Sequence, residues 1–111
     1  DPAREYTLAE CRARLDTRMA EAVDQVDRCV PGLPVRVLAA FADAAYNLGP
    51  AIACNTVQST AARYLAAGRL LDACHQLPRW DNARIAGVLM PLPGLTKRRA
   101  LERDICVQGA A

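Results

Sequence analysis

From Leu8 to Val30 apolar residues return at every third or fourth position: Leu8, Cys11, Leu15, Met19, Ala22, Val26 and Val30. Arg12, Arg14, Asp16, Arg18, Glu21 and Asp24 fall between them. This spacing matches one face of an α-helix, so it predicts a single amphipathic helix about six turns long. Thr7-Leu8-Ala9-Glu10 reads as a capping box at its start, the Thr7 hydroxyl accepting from the Glu10 amide and the Glu10 carboxylate accepting from the Thr7 amide. Pro31-Gly32-Leu33-Pro34 ends it, because two prolines lack amide donors and glycine permits a turn. In a chain of 111 residues, 52% of them hydrophobic, one such helix leaves room for one core and one domain, residues 1–111.

The rest of the chain reads as shorter helices. Val35, Val37, Leu38, Phe41, Ala44, Ala45 and Leu48 make an alanine-rich helix that is apolar over more than half its circumference and should be central to the core. Gly49-Pro50 stops it. A short apolar piece, residues 51 to 54, precedes a helix from about Ser59 to Ala67 closed by Gly68, with Ser59 and Thr60 best read as its caps. Leu70, Leu71, Ala73, Cys74 and Leu77 form another short helix, terminated by Pro78. Residues 81 to 94, with Gly87, Pro91, Pro93 and Gly94, read as a loop, after which Leu95, Leu101 and Ile105 carry a basic last helix. No alternating strand of useful length is apparent, so the fold class expected for this chain is all-α.

Several chemistries are excluded by what is missing. Charges of both signs are interspersed to a net +2, so no basic stripe points to nucleic acid. No apolar run approaches the roughly 18 residues of a membrane span. The glycines are scattered singly, without a phosphate-binding loop. The one histidine, His75, has no nucleophile turn nearby. Cys11, Cys29, Cys54, Cys74 and Cys106 contain no CxxC, which argues against structural zinc. Dispersed cysteines in a small domain fit an oxidising compartment, with an intracellular protein carrying buried thiols as the alternative. Glu21, Asp24, Asp27, Asp72, Glu102 and Asp104 lie among arginines and read as solvated, salt-bridging faces. The start at Asp1 rather than Met suggests a segment of something longer.

Four short pieces then occur in order: AFADAAYNLG ending at Gly49, Ser59-Thr60 with YLAAG, Arg79-Trp80, and PGLTKRRALE from Pro93 to Glu102. Together with the opening YTLAEC and the RCV after the long helix, they resemble the bacteriophage lysozymes, the phage-type endolysin family, over about residues 5 to 106. The departure is a longer stretch between Trp80 and Pro93. The resemblance implies a long interdomain-type helix at about 5–30 and a lysozyme-like helical lobe at 34–106, in a parent family that is α+β.

The function implied is hydrolysis of the β-1,4 bond between N-acetylmuramic acid and N-acetylglucosamine in bacterial peptidoglycan. The family's catalytic glutamate and its companions precede the segment matched by YTLAEC, so no residue here is catalytic by carry-over, and the chain alone is expected to be inactive. One cleft wall does carry over, as candidate substrate-binding residues Tyr46, Asn47, Trp80 and Arg98. Asn47, whose amide suits an acetamido sugar, reads equally as a helix cap. Trp80 reads better as a core residue. Of Arg98 and Arg99, one would pair with the family's catalytic carboxylate and the other would be a surface charge.

No cofactor or metal is implied. The partners implied are peptidoglycan and an N-terminal lobe of the same protein; the place is the periplasm or cell wall, alternatively the host cytoplasm before lysis. A second function class is a catalytically inactive lysozyme-like domain that binds peptidoglycan or a protein partner. The resemblance also suggests Cys11 as the cysteine whose partner lies elsewhere, leaving Cys54 to pair with Cys74 and Cys29 with Cys106.

Overall fold

The computed structural model describes residues 8–80, 82–85, 88–91 and 93–110, with side chains from Thr17 to Trp80, at Gly94, and from Thr96 to Ala110. The capping box at Thr7 to Glu10 and the Cys11 side chain lie outside what is described. Helix α1 spans Leu8–Cys29, so the apolar stripe does form one long helix. Within its described part, Ala22 and Val26 are buried. The Pro31 to Pro34 turn delivers the chain to α2, Val35–Leu48.

Helix α2 is the centre of the lobe, with Val37, Ala40, Phe41, Ala42, Ala44 and Ala45 buried. It stops where Gly49 takes a φ of +90° and its amide donates to the Ala45 carbonyl, a conformation open to glycine because it has no Cβ. Helix α3, Ala51–Cys54, follows at once. The Asn55 side-chain oxygen then accepts from the amides of Val57 and Gln58, turning the chain into α4, Thr60–Ala66. Buried Ser59 caps α4 as expected, its Oγ accepting from the Ala62 amide at 3.1 Å and donating to the Ile52 carbonyl at 2.6 Å.

Helix α5, Leu70–Cys74, is shorter than the periodicity suggests. Pro78 does not end a helix but sits inside a separate 3₁₀ turn, Leu77–Trp80, where its fixed φ is at home and its missing amide is not needed. The expected loop after Trp80 contains two strands, β1 Asn82–Ile85 and β2 Val88–Pro91, antiparallel and in a register pairing Asn82 with Pro91 and Ile85 with Val88. Strands of four residues are too short to display a period of two, so glycine and proline dominated the reading. This hairpin occupies the extra length between Trp80 and Pro93. Helix α6, Pro93–Ala110, closes the chain. The helical class read from the sequence is thus what the structure shows, with one small hairpin added.

The core joins Val26 of α1 to Phe41 and the alanines of α2, Ile52 of α3, Leu65 of α4, Cys74 of α5, Leu77 and Cys106 of α6. Cys29, Cys54, Cys74 and Cys106 are all disulfide-bonded, but with other partners than expected. The bonds are Cys29–Cys54 and Cys74–Cys106. Pro50 and Cys54 lie beside Gln25, Arg28 and Cys29, so α3 returns the chain to the end of α1. The other bond follows from α6 turning Cys106 into the core against α5. The bonds close loops with sequence separations of 25 and 32 residues, each contributing roughly 3 to 4 kcal/mol in the chain-entropy account.

Candidate functional site

Helix α6 departs most from its sequence pattern. Its apolar residues Leu101 and Ile105 are 64% and 44% exposed, while Arg99, Glu102 and Cys106 form the buried face. The spacing 99, 102, 106 is one helical stripe like any other. Helix α6 is therefore amphipathic with a charged pair turned inward and leucine and isoleucine turned outward.

The outward face forms one wall of an open groove of about 660 Å³. Met19 and Val23 of α1 and Ala39 and Ala40 of α2 supply the apolar floor and facing wall. Asp43, Lys97, Arg98 and Glu102 make its polar part. Arg98 grips Asp43 with two parallel hydrogen bonds, Nε to Oδ2 at 3.1 Å and Nη2 to Oδ1 at 2.8 Å, the planar fork that arginine alone offers a carboxylate. Behind them Arg99, fully buried, donates from Nη2 to Glu102 Oε2 at 2.7 Å. Arg99 Nε lies 2.5 Å from Glu102 Oε1, close enough for an ion pair but not aligned for a hydrogen bond. Arg99 Nη1 also has no hydrogen-bond partner among the described residues.

Asp43 and Glu102 line the same groove from α2 and α6 and bias each other's protonation. Burial, reinforced by the neighbouring Asp43 carboxyl, pushes the Glu102 carboxyl up to about 8 against the opposing pull of Arg99. Burial acts on Asp43 in the same sense, but the influence of Glu102 and the Arg98 grip outweigh it and hold Asp43 below the usual carboxylate range. The bond with Asp43 raises Arg98 in turn, against desolvation. Glu102 is therefore no solvated surface acid, contrary to the sequence reading: it is 2% exposed. Arg99 is likewise no surface charge. The clue to Asp43 lay in plain view, as the single charged residue between Val37 and Leu48.

Of the residues singled out from the sequence, Asn47 neither caps α2 nor lies buried; it is exposed, and its Nδ2 donates to the Asp43 carbonyl one turn back at 2.7 Å. Tyr46 lines a separate, smaller hollow of about 290 Å³ with Arg18, Glu21 and Gln25 of α1. Asp43 thus links Asn47, through its backbone, to Arg98, through its carboxylate. Trp80 stands apart, half-buried and packed onto the core from the 3₁₀ turn. Among the described residues no group of three His, Cys, Asp or Glu side chains is placed to hold a metal ion, and no helix is long and apolar enough to cross a membrane.

A helical lobe built on one long helix, with an open groove lined by Arg98 and backed by buried Arg99, defines a class that comparison with known proteins makes specific. Residues 1–102 match the family model of the phage lysozymes, and the chain belongs to that family. It is similar to the SAR-endolysins of Bacteriophage PS119, 34% identical over 97% of this chain and 61% of the relative, and of Enterobacteria phage P21, 35% identical over 94% and 59%. The chain therefore spans about 60% of the length of these curated relatives. In fold it is similar to the active form of the P1 phage endolysin Lyz, with a TM-score of 0.81, 23% identity, and coverage of 100% of this chain and 66% of that one.

Proposed function

We propose that these 111 residues are the helical lobe of a phage-type endolysin that cleaves the β-1,4 bond between N-acetylmuramic acid and N-acetylglucosamine in peptidoglycan, with the catalytic glutamate supplied from outside them. The observation that carries this reading is the open groove: a lobe folded by itself has no reason to turn Leu101 and Ile105 outward beside Met19 and Val23, whereas a lobe that receives another element does. In this reading the family's glutamate-bearing helix would pack on this lobe, with Arg98 at the groove and Tyr46 and Asn47 near the end of α2 toward the glycan. Arg98 would orient the incoming carboxylate, and Asn47, exposed at the end of α2, would offer its amide to an acetamido sugar. Trp80 acts in this reading as core packing behind the cleft wall.

The two disulfides, and relatives described as SAR-endolysins, support action in an oxidising place outside the cytoplasm, at the periplasmic face of the cell wall. The test is turbidity of a suspension of purified sacculi. The 111 residues alone leave it unchanged, because loss of a positioned general acid removes on the order of 10²- to 10⁴-fold in rate. A longer chain that includes the sequence ahead of Asp1 clears it. Robust clearing by the 111 residues overturns the reading. Retention on pelleted sacculi by the longer chain without clearing favours an inactive binding domain instead.

A further inference from the structure

The side chains of Arg98 and Asp43 are 45% and 28% exposed, so their pair stands at the wall of the groove rather than beneath it. An arginine so placed ordinarily keeps most of its rotamer freedom. The two parallel bonds to Asp43 remove it, and Asp43 is itself a fixed point, set in α2 between the fully buried Ala42 and Ala44. The bonds engage Nε and Nη2 of the fork and leave its Nη1 edge to a further acceptor. An ion pair this exposed adds little to stability. Stability therefore does not explain why the stretch of α2 between Val37 and Leu48 carries one charge, and why that charge is spent on Arg98.

We propose that Asp43 is a positioning residue: its carboxylate fixes the Arg98 guanidinium at the groove wall and offsets its charge, so that Arg98 orients the incoming catalytic glutamate without drawing off that group's proton. The inference rests on the endolysin reading given above. A guanidinium with no counter-ion beside a carboxyl group favours the ionised form, and an ionised glutamate cannot protonate a leaving oxygen. A guanidinium already paired presents the same kind of N–H donor with little net charge. Without Asp43, Arg98 is released to grip the incoming carboxylate with its whole fork, the geometry that suits an anion best. Asp43 thus gives the general acid a fixed donor while sparing it a bare positive neighbour.

The other charged groups of the described residues leave this role to Asp43. On α6 the groove also holds Lys97, a point charge on a flexible stem, and Glu102, which is paired with buried Arg99. From α1 the groove is faced by apolar Met19 and Val23. Tyr46 of α2 lines the separate hollow, to which Arg18 and Glu21 of α1 bring one charge of each sign. The elements packed on the rest of α6 contribute buried Ala73 and Cys74 from α5 and buried Leu77 and half-buried Trp80 from the 3₁₀ turn. Their charged groups lie outward, with Asp72 paired to Arg69 and with His75 and Arg79 exposed.

The test is the pH profile of kcat on soluble peptidoglycan fragments, measured with the longer chain that includes the sequence ahead of Asp1. The alkaline limb, where the general acid loses its proton, is expected to move down by about one pH unit in Asp43→Asn, a roughly tenfold loss of kcat above the limb with KM little changed. Asp43→Glu keeps the charge on a longer stem; it is expected to lower kcat at every pH and leave the limb in place. The shift caused by Asp43→Asn is expected again in a Glu102→Gln background, where the second acid of the groove cannot ionise. In the 111-residue protein, disulfides intact, nitrogen-15 NMR should show slow exchange of the Arg98 Nε–H, becoming fast in Asp43→Asn. A limb unmoved in Asp43→Asn, one moved as far in Asp43→Glu, a shift that vanishes with Glu102→Gln, or an Arg98 Nε–H already fast in the unaltered protein overturns the proposal and leaves the endolysin reading standing. A longer chain that cleaves at no pH overturns both.

Discussion

Helices α2 and α6 lie side by side and solve the same packing problem with opposite materials. Helix α2 turns alanine, valine and phenylalanine inward, and its burial is a sum of many small apolar contacts. Helix α6 turns an arginine and a glutamate inward and leaves leucine and isoleucine outside. An apolar interface tolerates small displacement; a buried charged one is all or nothing, because a charge stripped of its partner cannot be rehydrated. The pair shows that the apolar stripe of a helix need not be the face that the lobe covers.

The largest effects should come from breaking each helix at its centre. Phe41→Ala leaves a cavity and costs about 3 to 5 kcal/mol of stability. Glu102→Ala strands buried Arg99 and costs about the same. The two differ in rescue. Adding Arg99→Met to Glu102→Leu returns stability to near that of the parent, because an apolar pair of similar volume removes the desolvation penalty, whereas no second change of charge restores Phe41→Ala. Denaturant titration of the four proteins decides the matter. If the Arg99→Met, Glu102→Leu double variant is as unstable as Glu102→Ala, the difference between the helices is not one of charge.

Next comes the covalent tie of α6, for which the paired change Cys74→Ser and Cys106→Ser should cost roughly 3 to 4 kcal/mol, read by thermal unfolding without reductant. A smaller effect is the response to pH, which α6 should impose and α2 should not. The folded-state value of Glu102 is raised, so its contribution is fully present below about 4.5 and is lost as pH rises through about 8, at no more than about 1.4 kcal/mol per pH unit. Asp43 is lowered, so its contribution is present above its ordinary value of 3.8 and is lost as pH falls through its folded value. These two groups together place greatest stability between about pH 4 and 5. A stability profile flat from pH 5 to 8 would remove Glu102 from the account. Smallest is Leu101→Ser, which should change stability by no more than about 0.5 kcal/mol yet reduce any self-association seen by sedimentation.

How much of this was legible in the sequence follows from the same contrast. Helix α1, helix α2 and the stop at Gly49 were legible because apolar period, alanine content and glycine act locally and point one way. The cap at Ser59 was legible for the same reason. The inward face of α6 was not, because Leu101 and Ile105 carry the stronger periodic signal and the force that overrides them is the pairing of Glu102 with Arg99, three positions away, beside Asp43, 59 positions away. Residue identity singled out Arg98, which lines the groove, and Tyr46, which lines a separate hollow. The site was illegible where a role depended on a neighbour, as with Asp43, and where four cysteines had to choose partners. The hairpin after Trp80 was hidden by its own brevity.

The disulfide pattern bears on how such a chain avoids misassembly. The closed loops run from 29 to 54 and from 74 to 106, one after the other and without overlap. A chain threaded across a membrane from its N-terminus can complete the first before the second has emerged, so only the Cys74–Cys106 bond has to wait for the far end. The hazard in such vectorial oxidation is Cys11, which precedes Cys29 and would reach the oxidant together with it. Helix α1 removes it by acting as a spacer: both residues lie on one continuous helix, whose rise sets them about 27 Å apart, far beyond the roughly 7 Å that a disulfide spans. Helices form in microseconds and disulfides in seconds or longer, so the spacer is in place before the chemistry begins.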